Sequence, residues 1–124
     1  IGKNTESPSD PWIMKYIFPG GYIPKFTEIV REMGRAGFPI MDVENLRVHY
    51  GHTLDRWADN YEKNVEKVRC MFDESFVRMW RLYLNVCSAG FKYGNSCLYQ
   101  ILFTNGLTNG LPLTRKHLDQ DGYH

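Results

Sequence analysis

Apolar side chains recur at helical spacing in three places along the chain, and two short apolar runs lie between and after them. Behind Pro24, Phe26, Ile29, Val30 and Met33 fall on one face of a helix, with Pro24 suited to its start and Gly34 and Gly37 to its stop. The run FPIMDVENL, residues 38–46, is β-prone and predicts a strand. His52 and Thr53 then lead into a second helix, with Thr53 as its cap. Leu54, Trp57, Ala58, Tyr61, Val65 and Val68 form its apolar stripe, while Asp55, Arg56, Asp59, Glu62, Lys63 and Glu66 are expected to face water. After a break near Asp73, a third helix carries Phe76, Met79, Trp80, Tyr83, Cys87 and Phe91 in steps of three and four. Gly94 and Asn95 read as a turn. Cys97 to Thr104 reads as a strand with Cys97, Tyr99, Ile101 and Phe103 on one face.

The rest of the chain is less regular. Residues 3–11 read as a loop, since Pro8 and Pro11 interrupt any helix there. YIFPGGYIP, Tyr16 to Pro24, sets aromatic and branched side chains around a Pro-Gly-Gly turn. It reads either as a buried connection or as a lid with glycine freedom and aromatic contact area. Two Asn-Gly turns follow the last strand, and residues 116–124 are expected to form a mobile polar tail behind a domain spanning 1–115. Two strands and about three helices are sparse for an independent domain. They suggest the last part of an α/β sheet, and the opening Ile1-Gly2, without Met, reads as the tail of a strand. The expectation is a fragment of a longer protein.

Composition narrows the function. With 124 residues, 43% apolar, 15% aromatic and 23% charged, the chain is globular in character. Lys and Arg number 15 against 14 Asp and Glu, so the basic excess of a nucleic-acid binder is missing. Cys70, Cys87 and Cys97 have no CxxC spacing and read as free thiols in a reducing compartment. Searching for GxSxG, HExxH, P-loop and GxGxxG patterns finds nothing. The cluster His49-Tyr50-Gly51-His52 is read as polar surface at a strand-to-helix turn, or as a titratable site if a pocket surrounds it. Tyr83 and Cys87 share a helix face with Phe76 and Trp80, which suits core packing or a ligand wall.

Taken in order, Ile1-Gly2 at a strand end, DPW…KYIFPGGYIP, DVENLRVHYGHTLDRW, FVRMWRLYLNVCSAGF and LYQILFTNG resemble the cyclopropane-fatty-acyl-phospholipid synthase family, which includes the mycolic acid cyclopropane synthases. The resemblance runs from residue 1 to about Arg115. It implies an α/β fold, the C-terminal portion of a Rossmann-like S-adenosylmethionine-dependent methyltransferase, with the cofactor held by an absent N-terminal half. It implies methylene transfer to a cis double bond of a phospholipid acyl chain, and a fragment that is inactive alone. Tyr50 matches the tyrosine that helps hold a bicarbonate ion, the base for ring closure, and Ile1 matches a residue whose backbone contacts that ion. Phe18, Leu54, Tyr83 and Cys87 fall where the family lines its acyl tunnel. The implied location is cytoplasmic, at the inner face of the membrane. Lys15, Lys25, Arg31, Arg35, Arg47 and Arg56 are candidates for headgroup contact. His49 and His52 match no catalytic position. A sphingolipid or N-methyltransferase on the same scaffold, or a stand-alone lipid-binding module, are the alternatives. Oligomeric state is open.

Overall fold

The computed structural model describes residues 2–3 and 10–119, so Ile1, residues 4–9 and the end of the tail lie outside it. Helix α1, Pro11–Tyr16, begins where proline is tolerated, at the first helical position, and the Asp10 carboxylate accepts from the Trp12 and Ile13 amides at 2.9 and 3.1 Å. Helix α2, Phe26–Arg35, starts two residues after Pro24. Its opening is fixed by Glu28, whose carboxylate accepts from the Lys25 amide at 2.7 Å and the Tyr22 hydroxyl at 2.6 Å. Gly34 lies inside α2, and only Gly37 comes after its end.

Four strands form two antiparallel pairs. Gly2–Lys3 (β1) pairs with Ser96–Cys97 (β3), and Ile40–Asn45 (β2) with Tyr99–Phe103 (β4). The expected strand 97–104 is therefore split. Leu98 sits at the break, and its carbonyl accepts the Leu46 amide at 2.8 Å instead of extending a ladder. In β2 and β4, Val43 stands opposite Ile101 and Asn45 opposite Tyr99. Phe26 stacks on Tyr99 and Phe38 leans on Phe103, so α2 and the residues after it cover that apolar face. Asp42, whose partner across the ladder is Leu102, takes the Arg115 guanidinium at 2.8 and 3.1 Å, tying the C-terminal segment to β2. One turn of helix, Lys116–Asp119, lies within the stretch expected to be mobile.

The second helix starts earlier than its pattern suggests. Helix α3 spans Arg47–Lys63 and its cap is Leu46, so Thr53 is no cap. Thr53 lies inside the helix, its hydroxyl donating to the His49 carbonyl one turn back at 3.3 Å. Nor is His49–His52 a turn, since it belongs to the first two turns of α3. Gly51 is tolerated there because α3 crosses α5, Glu74–Tyr93, closely. A methyl group at Gly51 would come within 3.0 Å of Lys92 Cγ. A break at Asn64 separates α3 from α4, Val65–Met71, and the Asp73 carboxylate caps α5 through the Phe76 amide at 2.8 Å.

Packing of α3 against α5 makes the core. Leu54, Leu84 and Phe91 are buried together, with Tyr50, Ala58, Tyr61, Trp80, Tyr83, Cys87 and Leu98 against them. The deepest positions of α5 are Val77, Leu84, Ser88 and Phe91, not the Phe76–Tyr83–Cys87 edge of the expected stripe. Small or branched residues on that face let the helices approach, and the aromatics flank the contact. Asp55, expected to face water, instead accepts from the Ser88 hydroxyl at 2.5 Å and is bonded to Lys92. The Lys92 ammonium, then the Ser88 hydroxyl, hold its carboxyl below the ordinary carboxylate range.

Arg47 is also placed differently from the headgroup contact suggested above. Its guanidinium donates to the carbonyls of Phe91 and Lys92 at 2.7 and 2.9 Å, closing the C-terminal end of α5 where the helix leaves acceptors unpaired. Replacing Arg47 by Gln is expected to lower stability by about 1.5–3 kcal/mol in urea unfolding, the usual loss for a charged hydrogen bond. Arg31 and Arg35 both lean on the exposed Glu32 carboxylate. Arg31→Gln is expected to change stability by under about 0.5 kcal/mol.

Candidate functional site

Five of the six residues singled out above come together from three separate segments. The sixth, Ile1, lies outside the described residues. Tyr50, near the start of α3, meets Phe91 edge-on with ring centroids 4.9 Å apart and Trp57 at 5.9 Å. Leu54, one turn further, is 2% exposed and sits in the core itself. Tyr83 and Cys87 stand one turn apart on α5, close enough for each to shift the other's ionisation. Phe18 reaches them from the other direction, its ring edge-on to Tyr83 at 6.1 Å.

The route of Phe18 is set by the turn that follows α1. The Gly21 amide donates to the Phe18 carbonyl at 2.9 Å, closing a turn with Pro19 and Gly20 at its centre. Gly20 has φ +72°, and a side chain at Gly21 would approach the Phe18 carbonyl to 3.0 Å. Both glycines are thus required by geometry, Gly20 by its backbone angle and Gly21 by close approach. Phe18 remains 55% exposed, so it forms the outer rim of the cluster and not its interior.

The chemistry of the cluster is neutral. Burial pushes the Tyr83 phenol up to about 12, with the neighbouring Cys87 adding to it. Burial likewise raises the Cys87 thiol. At neutral pH both keep their protons, leaving neither thiolate nor phenolate to attack an electrophile. Among the described residues the Tyr50 hydroxyl has no hydrogen-bond partner. Among the same residues no group of three or more His, Cys, Asp or Glu is arranged to hold a metal. Two open grooves are lined by none of the five residues. One, of about 890 Å3, lies between α1 and α5, and the other, of about 500 Å3, runs along α2.

Thiol reactivity follows from this placement. Cys70 is exposed on α4, Cys87 is half-buried beside Tyr83, and Cys97 is buried. Under native conditions an alkylating reagent is expected to modify Cys70 quickly and the other two only on unfolding. Mass analysis of the labelled thiols checks this.

Two contributors escaped sequence reasoning. Phe91 was placed in the stripe but not as the residue that seats Tyr50, because only the crossing of α3 and α5 brings them together. Asp10, near Cys87 and adding to the rise of its thiol, reads in the sequence as loop polarity. Its position before Pro11 is a capping signal that could have been used.

The sequence profile of the mycolic acid cyclopropane synthetase family matches residues 2–101. A probable fatty acid methyltransferase of Pseudomonas putida is 37% identical over 110 residues, covering 86% of this chain and 28% of that protein. The cyclopropane-fatty-acyl-phospholipid synthase of Escherichia coli K12 is 34% identical over 113 residues, covering 91% of this chain and 29% of the relative. In three dimensions the chain superposes on mycolic acid cyclopropane synthase CmaA1, solved with SAH and CTAB. The TM-score is 0.71 at 27% identity, over 74% of this chain and 32% of that one. The chain thus spans under a third of the length of each relative. Matched over most of its length in sequence and in fold, this chain belongs to the mycolic acid cyclopropane synthetase family, whose relatives named here are methyltransferases and cyclopropane synthases.

Proposed function

We propose that this chain is the acyl-facing part of an S-adenosylmethionine-dependent enzyme that adds a methylene across a cis double bond of a phospholipid acyl chain. The observation that carries this reading is the convergence of Phe18, Tyr50, Leu54, Tyr83 and Cys87 into one uncharged, mostly aromatic cluster. A cationic centre on a hydrocarbon chain survives only where water and nucleophiles are kept away. Ring faces exclude water and favour positive charge, while protonated Tyr83 and Cys87 do not attack it. The relatives named above are described as acting on fatty acids and phospholipids, and one neighbour was solved with SAH.

Among the described residues, the strand-to-helix junction before Arg47 does not form a cradle for the methyl donor. The junction from β2 to α3 has Leu46 as its cap, with no side-chain hydrogen bond and no glycine between Phe38 and Arg47. In this reading residues 1–115 supply the substrate side, and polypeptide outside the chain holds the donor. Tyr50 contributes one hydrogen bond to a bicarbonate ion. A single donor does not make an anion site, so the remaining contacts come from elsewhere. Contact with the membrane surface is part of the same reading, because the substrate resides there. Among the described residues no helix is long and apolar enough to cross a membrane.

The test is to express the complete reading frame in a host without such activity and weigh the extracted phospholipids. Acyl chains heavier by one methylene per double bond support the proposal, and an unchanged lipid profile overturns it. Calorimetric titration of the chain alone with S-adenosylmethionine is expected to show no saturable heat. Micromolar binding would place the donor site within these residues and contradict the division of labour proposed here.

A further inference from the structure

We propose that Asp55, Ser88 and Lys92 are positioning residues for Tyr50, locking the α3–α5 crossing in the register that seats its ring; the proposal rests on the role given to Tyr50 above. Three positions of α3 at four-residue intervals, Arg47, Gly51 and Asp55, grip the end of α5. Arg47 holds the carbonyls of Phe91 and Lys92. The Lys92 side chain passes over Gly51, its Cγ and Cε 3.0 and 3.6 Å from where a Cβ would stand, and its ammonium reaches Asp55. The other Asp55 oxygen takes the hydroxyl of Ser88, one turn earlier on α5 and only 6% exposed. His52 stands 4.0 Å from the oxygen that Lys92 holds, too far for a hydrogen bond.

Tyr50 lies inside this grip. It precedes Gly51, and its ring rests edge-on against Phe91, the residue before Lys92. Any sliding or rotation of α3 on α5 therefore moves the Tyr50 hydroxyl relative to a chain held in the cluster. Apolar contact alone resists such motion weakly, because Leu54, Leu84 and Phe91 can repack at similar volume. Hydrogen bonds to fixed partners do not slip, since a buried Ser88 hydroxyl left without its acceptor carries the full cost of desolvation. A second α3–α5 ion pair, Arg81 onto Glu62 at 2.5 and 2.9 Å, supplies the contrast. It joins the same helices about two turns beyond Asp55 and Ser88, away from the end that carries Tyr50. The two pairs thus differ in what they hold, and only the first touches the seat of Tyr50.

The experiment uses the complete gene product, with fluorotyrosine in place of Tyr50 for fluorine NMR and unlabelled protein for turnover. Lys92→Met keeps the stem over Gly51 and removes only the charge. It is expected to shift or split the fluorine resonance. It is also expected to lower kcat about tenfold with KM for phospholipid unchanged, as a group that orients the chemistry and not the binding should. Asp55→Asn, which keeps the shape of the carboxylate, is expected to do the same. Arg81→Met is expected to leave both resonance and kcat as they are. In a Tyr50→Phe background, Lys92→Met is expected to cause no further loss of kcat, because the hydroxyl it orients is gone. A resonance unmoved by both Lys92→Met and Asp55→Asn overturns the proposal. So does an equal shift from Arg81→Met, or a tenfold loss that persists in the Tyr50→Phe background. A resonance that moves while Tyr50→Phe keeps full activity leaves the lock standing and removes the role of Tyr50, so the two readings fail separately.

Discussion

Replacing Phe91 by Ala is expected to cost about 3–5 kcal/mol of folding stability, the range for deleting a buried aromatic ring. Phe91 is 4% exposed, packs with Leu54 and Leu84, and seats the Tyr50 ring. Removing it opens a cavity where α3 crosses α5, and neither helix can close the gap freely. Leu98 holds the start of α3 through the Leu46 amide, and Arg47 ties that start to the end of α5. Domains of this size have about 5–15 kcal/mol in all, so the loss is a large share of the total. Urea unfolding should show a much lower midpoint with an unchanged slope. Tyr93, two residues on, is 88% exposed, and Tyr93→Ala should shift stability by less than about 0.5 kcal/mol. Equal effects at the two positions would mean that the α3–α5 crossing is not the core.

Tyr50→Phe is expected to behave in the opposite way, with activity lost and stability kept. The ring contacts to Phe91 and Trp57 survive the substitution. The deleted hydroxyl has no partner among the described residues, so stability should change by under about 0.5 kcal/mol. If that hydroxyl orients the base for ring closure, turnover of the complete gene product should fall roughly 100-fold, the lower end for a group that positions proton transfer. Lipid mass spectrometry gives the turnover, and thermal unfolding gives the stability. Full activity in the variant would remove Tyr50 from the proposed site.

Much of the secondary structure was legible in the pattern. The run 38–46 contains β2, and the helix behind the break near Asp73 is α5. Failures came where a residue read as a breaker has a tertiary role. Gly51, beside two histidines, looks like a turn in the sequence, yet it sits inside α3, where the Lys92 side chain passes within 3.0 Å of where a Cβ would stand. Thr53 looks like a cap, yet the helix had already begun, fixed by a hydrogen bond from Leu46 to Leu98 about fifty residues away. Asp55 reads as a solvent-facing charge until α5 brings Ser88 and Lys92 against it.

The site divides along the same line. Local chemistry determined the turn that carries Phe18, the one-turn spacing of Tyr83 and Cys87, and the apolar stripe that includes Leu54. These depend on backbone geometry and spacing within a few residues, which composition and order alone specify. Whether those groups share one place was decided only by α1 folding back on α5 and α3 crossing it. That convergence depends on the fit of side chains distant in sequence, and on Phe91 and Arg47 holding the crossing together, which no local pattern encodes.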